Sequence, residues 1–286
     1  TFLNPNIYTN YNISFGEHNL AATAGFQSEQ MKNRKVNAQR TVMNNVNQPV
    51  LDLTTGVMKM EGNYQEWASA GFFGRLNYDF QGKYLIEGNL RYDGSSRYRA
   101  DERWVWTPSF SLGWNIAREA FFENAAEYVQ MLKLRGSYGV LANQNTTNWY
   151  PTYAKVGTKS ADGKWLINGA KPNTASVPGL VLTSLTWEKI YTTNIGLDFG
   201  AFNNRLTGSF DYFIRETKDM VGKAVELPAI LVTEVPVTNN TDLKTTGWEL
   251  EVSWRDQIGE VKYGARLNIS DSQTKITRFA NPTGSL

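Results

Sequence analysis

From Lys83 to Asp93 the side chains alternate strictly. Tyr84, Ile86, Leu90 and Tyr92 fall on one face of an extended strand, and Glu87, Asn89, Arg91 and Asp93 on the other. A period of two is the strand repeat, incompatible with a helix. The alternation recurs along the chain. Leu206, Phe210, Tyr212 and Ile214 oppose Thr207, Ser209, Asp211 and Arg215. Trp248, Leu250, Val252 and Trp254 oppose Glu249, Glu251, Ser253 and Arg255. Val261, Tyr263, Ala265, Leu267 and Ile269 then oppose Lys262, Arg266 and Asn268. About ten such strands are predicted, over residues 6–16, 19–33, 70–80, 83–95, 105–117, 131–140, 188–201, 205–219, 245–257 and 261–276. Many exceed the 5–6 residues usual in globular sheets and reach the roughly 9–11 that cross a bilayer.

The connections sort by length. Short ones fall at Gly16–Asn19, Gln81–Gly82, Phe202–Asn204 and Gln257–Glu260, where Gly and Asn supply the positive φ of tight hairpins. A somewhat longer one, Arg118–Gln130, has room for a helical turn. The long ones cover roughly 34–69, 96–104, 141–187 and 220–244. Short turns at one end and long loops at the other are the signature of an outer-membrane barrel, with the short turns periplasmic. On that topology the first strand runs inward and the last outward. A complete barrel is expected to begin and end at the periplasmic side, so the chain reads as a fragment lacking at least one strand at each end. The turn-like Asn281-Pro282-Thr283-Gly284 agrees with this reading.

Composition narrows the partners. The 286 residues include no apolar run long enough for a membrane helix. Barrels escape that test, because only alternate residues meet lipid. The 14 Tyr, 14 Phe and 9 Trp suit membrane-interface belts, and equally a sugar-binding surface. A net charge of +2, from 29 basic and 27 acidic residues, offers no basic stripe for nucleic acid. With no cysteine, disulfides and thiolate metal sites are excluded. The N-terminus, Thr-Phe-Leu-Asn-Pro, is not a signal peptide.

Several stretches, in order, carry a resemblance. They are Phe15-Gly16-Glu17-His18-Asn19-Leu20 with Ala24-Gly25-Phe26, then GRLNYDFQGKYLIEGNLRYDGSSR from Gly74 to Arg97. PSFSLGWNIAREAFF (Pro108–Phe122) and LKLRGSYG (Leu132–Gly139) follow. LTWEK from Leu185, NIGLDFG from Asn194, NNRLTGSFDYFIRETKDM to Met220 and TGWELEVSW (Thr246–Trp254) complete the set. The ordered set resembles the SusC/RagA family of TonB-linked outer-membrane transporters. The chain departs from the family at Ala142, before Asn143-Gln144, where a glycine is usual, and in the looser Asp242–Gly247. The resemblance implies an all-β antiparallel wall, about ten strands of a 22-stranded barrel. It also implies a plug and a TonB box, neither present within residues 1–286, and a SusD-like surface lipoprotein over the mouth. The function implied is import of oligosaccharides or peptides, driven through the TonB complex.

Candidate sites are few. His18, the single histidine, lies at a short turn and reads as a solvent-exposed turn residue; it has no second His or Cys to share a metal and no triad to join. Glu87, Asp93, Asp211, Glu249 and Glu251 read as polar lumen lining paired with Arg91, Arg215 and Arg255, not as a catalytic pair. No catalytic residue, metal site or cofactor is expected. Arg-Tyr-Asp-Gly-Ser-Ser-Arg (91–97) reads as structural: Gly94 and the serines turn the chain and Asp93 bonds nearby amides. The expected ligand contacts lie in the 141–187 loop, at Asn143, Gln144, Asn145, Trp149, Tyr150, Tyr153 and Trp165. Aromatic faces and amides bind sugars, although loop packing or lid contact explains the same residues. Two alternatives remain. An independent ten-stranded barrel protease would need a His-Asp pair at the outer end, where His18 is not. A soluble carbohydrate-binding β-protein would bury the apolar faces between sheets. Pattern alone leaves it open; loop sorting and the resemblance argue against it.

Overall fold

The computed structural model describes residues 1–144, 148–223 and 235–279. Asn145 and the turn at 281–284 therefore lie outside the described residues. The strands are β1 (Phe2–Leu3), β2 (Asn6–Phe15), β3 (His18–Arg40), β4 (Met58–Phe80), β5 (Tyr84–Ser95), β6 (Trp104–Asn115) and β7 (Val129–Asn143). They continue with the short β8 (Thr158–Lys159) and β9 (Thr174–Ala175), then β10 (Glu188–Ala201), β11 (Leu206–Lys223), β12 (Val237–Ile258) and β13 (Val261–Arg278). All ten predicted strands are present. Eleven strands form one antiparallel sheet in the order β1-β3-β4-β5-β6-β7-β10-β11-β12-β13, with β2 also on β3; β8 and β9 pair separately. Among the described residues the sheet is not closed: β13 pairs only with β12, and β1 and β2 form the opposite edge.

Register makes each face explicit, because residues directly opposite in an antiparallel pair share a face. One row reads Phe15, His18, Phe80, Tyr84, Trp114, Leu134, Leu197, Phe210, Leu250 and Ile269. A row on the other face reads Asn10, Thr23, Arg75, Asn89, Ser109, Gly139, Thr192, Arg215, Thr245 and Thr274. The predicted apolar and polar faces thus continue across the whole sheet. Toward the long-loop end of the apolar face lies a second aromatic row, Phe26, Phe72, Tyr92 and Trp106. Its rings are in contact, Phe26 with Phe72 at 5.1 Å and Tyr92 with Trp106 at 4.3 Å. Tyr84 and Tyr92 mark the two aromatic rows on β5, eight residues apart, a rise of roughly 27 Å along the strand. A tilt of about 35–45° shortens that to roughly 20 Å, close to the height of a bilayer-facing band.

The apolar face is uncovered. Leu76 is 50% exposed, Leu112 49%, Ile195 58% and Leu267 56%. Among the described residues no second sheet packs on this face, though a soluble sandwich requires one. The buried apolar side chains among the described residues are Tyr98, Val105, Val140, Leu185 and Trp187, gathered at the long-loop end.

The tight turns fall where expected. Gly16, Gly82, Asn203, Asn204 and Gly259 all have φ between 56° and 64°. The connection after β6 contains two short 3₁₀ segments, Ile116–Arg118 and Ala120–Ala125. Three expectations need correction. The long connection 34–69 shrinks to 41–57, since β3 and β4 stay paired from His18↔Phe80 to Arg40↔Met58. The connection 220–244 likewise gives way to β11 as far as Lys223 and β12 from Val237. Beyond the aromatic rows a strand needs no lipid-facing residues, so the alternation that marks it fades. His18 is not a solvent-exposed turn residue: its ring packs on Phe15 at 5.1 Å and Phe80 at 4.7 Å, and Nδ1 meets the Tyr78 hydroxyl at 2.7 Å.

Candidate functional site

The polar face is concave and charged. A groove of about 590 Å³ runs along its short-turn half, lined by Asn12, Asn19, Asn77, Asp79, Glu87, Ser111, Lys133, Arg135, Ser137 and Asn194. Several ion pairs of this face cross from strand to strand. Arg135 on β7 donates through Nε to Asp198 on β10 at 3.1 and 3.2 Å. Its two terminal nitrogens form a fork with Asp211 on β11 at 2.7 and 2.6 Å. Register places Gly196 between Arg135 and Asp211, and a Cβ there would lie 2.5 Å from the guanidinium carbon. Glycine is what lets the side chain lie flat across β10. Glu87 pairs with Arg75 at 2.6 Å, Asp93 with Arg91 at 2.8 Å and Glu251 with Arg266 at 3.4 Å. Of the three expected arginine partners, Arg91 alone serves among the described residues; Arg215 lies over the Phe213 ring at 5.9 Å. Arg91 and Asp93 pair along β5, whereas Glu87, Asp211 and Glu251 take partners from neighbouring strands.

The long-loop end is organised around the 91–97 motif. Asp93 bonds Arg91 rather than nearby amides. Ser95 and Arg97 are buried. The Arg97 guanidinium lies 4.6 Å from the Trp67 ring centre and 5.9 Å from that of Trp149, and donates to the Gln144 carbonyl at 3.1 Å. Burial holds its pKa below the usual arginine range. Ser96 accepts from the Ala68 amide at 2.9 Å and meets the Tyr150 hydroxyl at 3.2 Å. Tyr98 packs on Trp187 at 5.0 Å, and burial pushes its phenol up to about 12. Ser96 and Arg97 thus join the long-loop end of β4 to Gln144, Trp149 and Tyr150, and the adjoining Tyr98 reaches Trp187.

The expected contact residues divide. Trp149, Tyr150 and Tyr153 belong to this packing: the Tyr150 hydroxyl donates to the Glu66 carbonyl at 2.5 Å, and Arg99 covers Tyr153 at 5.8 Å. Asn143 ends β7 and reaches Glu188 at 3.3 Å. Gln144 borders a recess on the polar face. Trp165 stands apart, 58% exposed, in the stretch between β8 and β9. Arg135, Asp198 and Glu29 went unremarked in the sequence. Their position on the polar parity of their strands was the available signal.

The open charged face, the aromatic rows and the uncovered apolar face place this sheet among membrane barrels, and comparison with known proteins decides which. The family model described as TonB dependent receptor-like, beta-barrel, matches residues 1–285. The chain belongs to the TonB-dependent receptor family. TonB-dependent receptor SusC of Bacteroides thetaiotaomicron is 32% identical over 213 residues, 73% of this chain and 21% of SusC. TonB-dependent receptor P3 of Formosa agariphila is 28% identical over 281 residues, 95% of this chain and 27% of that protein. The RagAB peptide importer in its closed-closed state superposes with a TM-score of 0.85 at 25% identity, over 97% of this chain and 30% of the importer chain. The chain therefore spans under a third of the length of these relatives. The TonB-dependent receptor wall seen here is an outer-membrane β-barrel element of SusC/RagA type.

Proposed function

We propose that residues 1–286 are barrel wall in a receptor that imports oligosaccharides or peptides across the outer membrane. Energy comes through the TonB complex, and a plug and TonB box lie elsewhere in the whole protein. A SusD-like surface lipoprotein covers the mouth. The observation that carries this reading is the division of one continuous sheet into an uncovered apolar face and a face of ion pairs and amides. The first suits lipid and the second a hydrated lumen. The relatives point the same way: SusC is a TonB-dependent receptor, and RagAB is a peptide importer. Short turns then face the periplasm and the 144–187 connection faces outward. Asn143, Gln144, Asn145 and Trp165 are the wall's contacts with solute or lid. Trp149, Tyr150 and Tyr153 hold the loop root in place.

Growth on defined nutrients tests this. Deleting the gene should abolish growth on one class of polymer, glycan or protein, and deleting TonB should reproduce the loss. The receptor should co-purify with a surface lipoprotein. Growth unaffected by either deletion on every glycan and peptide source would reject the reading.

A further inference from the structure

Toward the long-loop end, the apolar parity of four neighbouring strands turns basic. Lys189 on β10 lies directly opposite Lys218 on β11, and Lys244 on β12 directly opposite Lys275 on β13. Like charges facing each other across a ladder are destabilising. Between the two pairs stands Glu216, opposite Lys244 and two residues from Lys218. Its carboxylate meets both, at 3.6 and 3.5 Å, so these two lysines reach one anion together. Asp242 also faces Lys218, but with Asp219 it holds Arg278, at 2.9 and 2.7 Å. Lys189 and Lys275 form no ion pair among the described residues. Positive charge is therefore in excess, and it is open to the surroundings: the Lys218 and Lys244 side chains are 48% and 42% exposed.

The height of the patch says what surrounds it. Trp254, near the short turns, packs against Phe202 at 6.3 Å. Lys244 lies ten residues further along β12, roughly 33 Å of strand. A tilt of about 35–45° reduces that to roughly 25 Å, the height of a lipid-facing apolar band. The lysines thus emerge at headgroup level on the long-loop side. Tyr191, directly opposite Glu216, has its ring 5.4 Å from Lys218 Nζ, an interfacial aromatic beside the charges. A neutral headgroup would leave the paired lysines in repulsion. A phosphate supplies negative charge and several acceptors, which relieves it.

We propose that Lys189, Lys218, Lys244 and Lys275 form a docking patch for the phosphates of the outer-leaflet glycolipid, the lipid A of lipopolysaccharide. The proposal rests on the outward orientation of the long-loop end given above, because that glycolipid forms the outer leaflet. The patch lies on the face opposite the lumen, so the lipid it holds is separate from any imported solute.

Native mass spectrometry of the purified full-length receptor tests it, by counting lipid retained from detergent mixed with diphosphoryl lipid A, its dephosphorylated form or phosphatidylglycerol. Diphosphoryl lipid A should bind about tenfold tighter than the dephosphorylated form, as expected for one charge-assisted contact. Lys218→Gln, Lys244→Gln and Lys275→Gln should each weaken it roughly fivefold, the scale of one basic residue at an anionic bilayer surface. Lys275→Arg should keep the affinity, and Lys262→Gln, on the polar parity near the short turns, should leave it unchanged. Heat-modifiable mobility confirms that each variant folds. Equal retention of the two lipid A forms, equal retention of phosphatidylglycerol, or a preference that survives the three Lys→Gln substitutions together would each overturn the patch. Intact TonB-dependent uptake beside a failed lipid preference rejects the patch alone, whereas labelling of a tag at Asn203 on intact cells rejects the orientation on which it rests.

Discussion

A methyl group at Gly196 would come within 2.5 Å of the Arg135 guanidinium carbon. The obstruction meets the far end of a flexible side chain, so the backbone has no need to move. Arg135 would swing away and leave Asp198 and Asp211 without their fork. Gly196→Ala should therefore lower the stability of the full-length receptor by roughly 1–3 kcal/mol, the scale of hydrogen bonds to charged groups in a half-exposed setting. The temperature at which heat-modifiable mobility is lost measures this. No loss of stability would mean that the three-strand tie between β7, β10 and β11 contributes little. The same residue scale explains the rim: Arg97 is a buried cation held by two indole faces and one carbonyl. Cation–π contacts of this kind gain strength as water is excluded.

Elements obey the alternation of their side chains only where the two sides differ. β11 and the inner half of β12 could be read from Phe210, Tyr212, Trp248 and Leu250 against Ser209, Asp211, Glu249 and Glu251. Arg34, Val36, Ala38 and Arg40 oppose Lys35, Asn37 and Gln39 with too little contrast to mark a strand, yet β3 continues through all of them. The packed rim was not legible either. Tyr98 meets Trp187 and Ser96 meets Tyr150 across long stretches of sequence, and no local period encodes such contacts. Turn chemistry, in contrast, was plain at Gly16, Gly82 and Gly259. The resulting topology is testable. A tag inserted near Gly163 in the receptor should be labelled on intact cells, and one at Asn203 should be labelled only after permeabilisation. The reverse pattern would overturn the orientation.

For the whole molecule, the open sheet sets the behaviour. β13 and the β1/β2 edge each present unpaired backbone groups, which hydrocarbon penalises by several kcal/mol apiece. Water would instead meet the uncovered apolar face, a patch far larger than monomers tolerate. Residues 1–286 expressed alone should therefore aggregate, and refolding in detergent should yield no monodisperse, heat-modifiable species. A stable monomer of that kind would favour a small independent barrel.

The central claim is that one face of this sheet meets lipid and the other does not. The segment contains no cysteine, so within it a spin label can be placed at single introduced cysteines. Labels at each position from 209 to 214 in the full-length receptor, reconstituted in bilayers, should report accessibility to oxygen with a period of two. It should be high at 210, 212 and 214 and low at 209, 211 and 213. Uniform accessibility, or the opposite phase, would contradict the account.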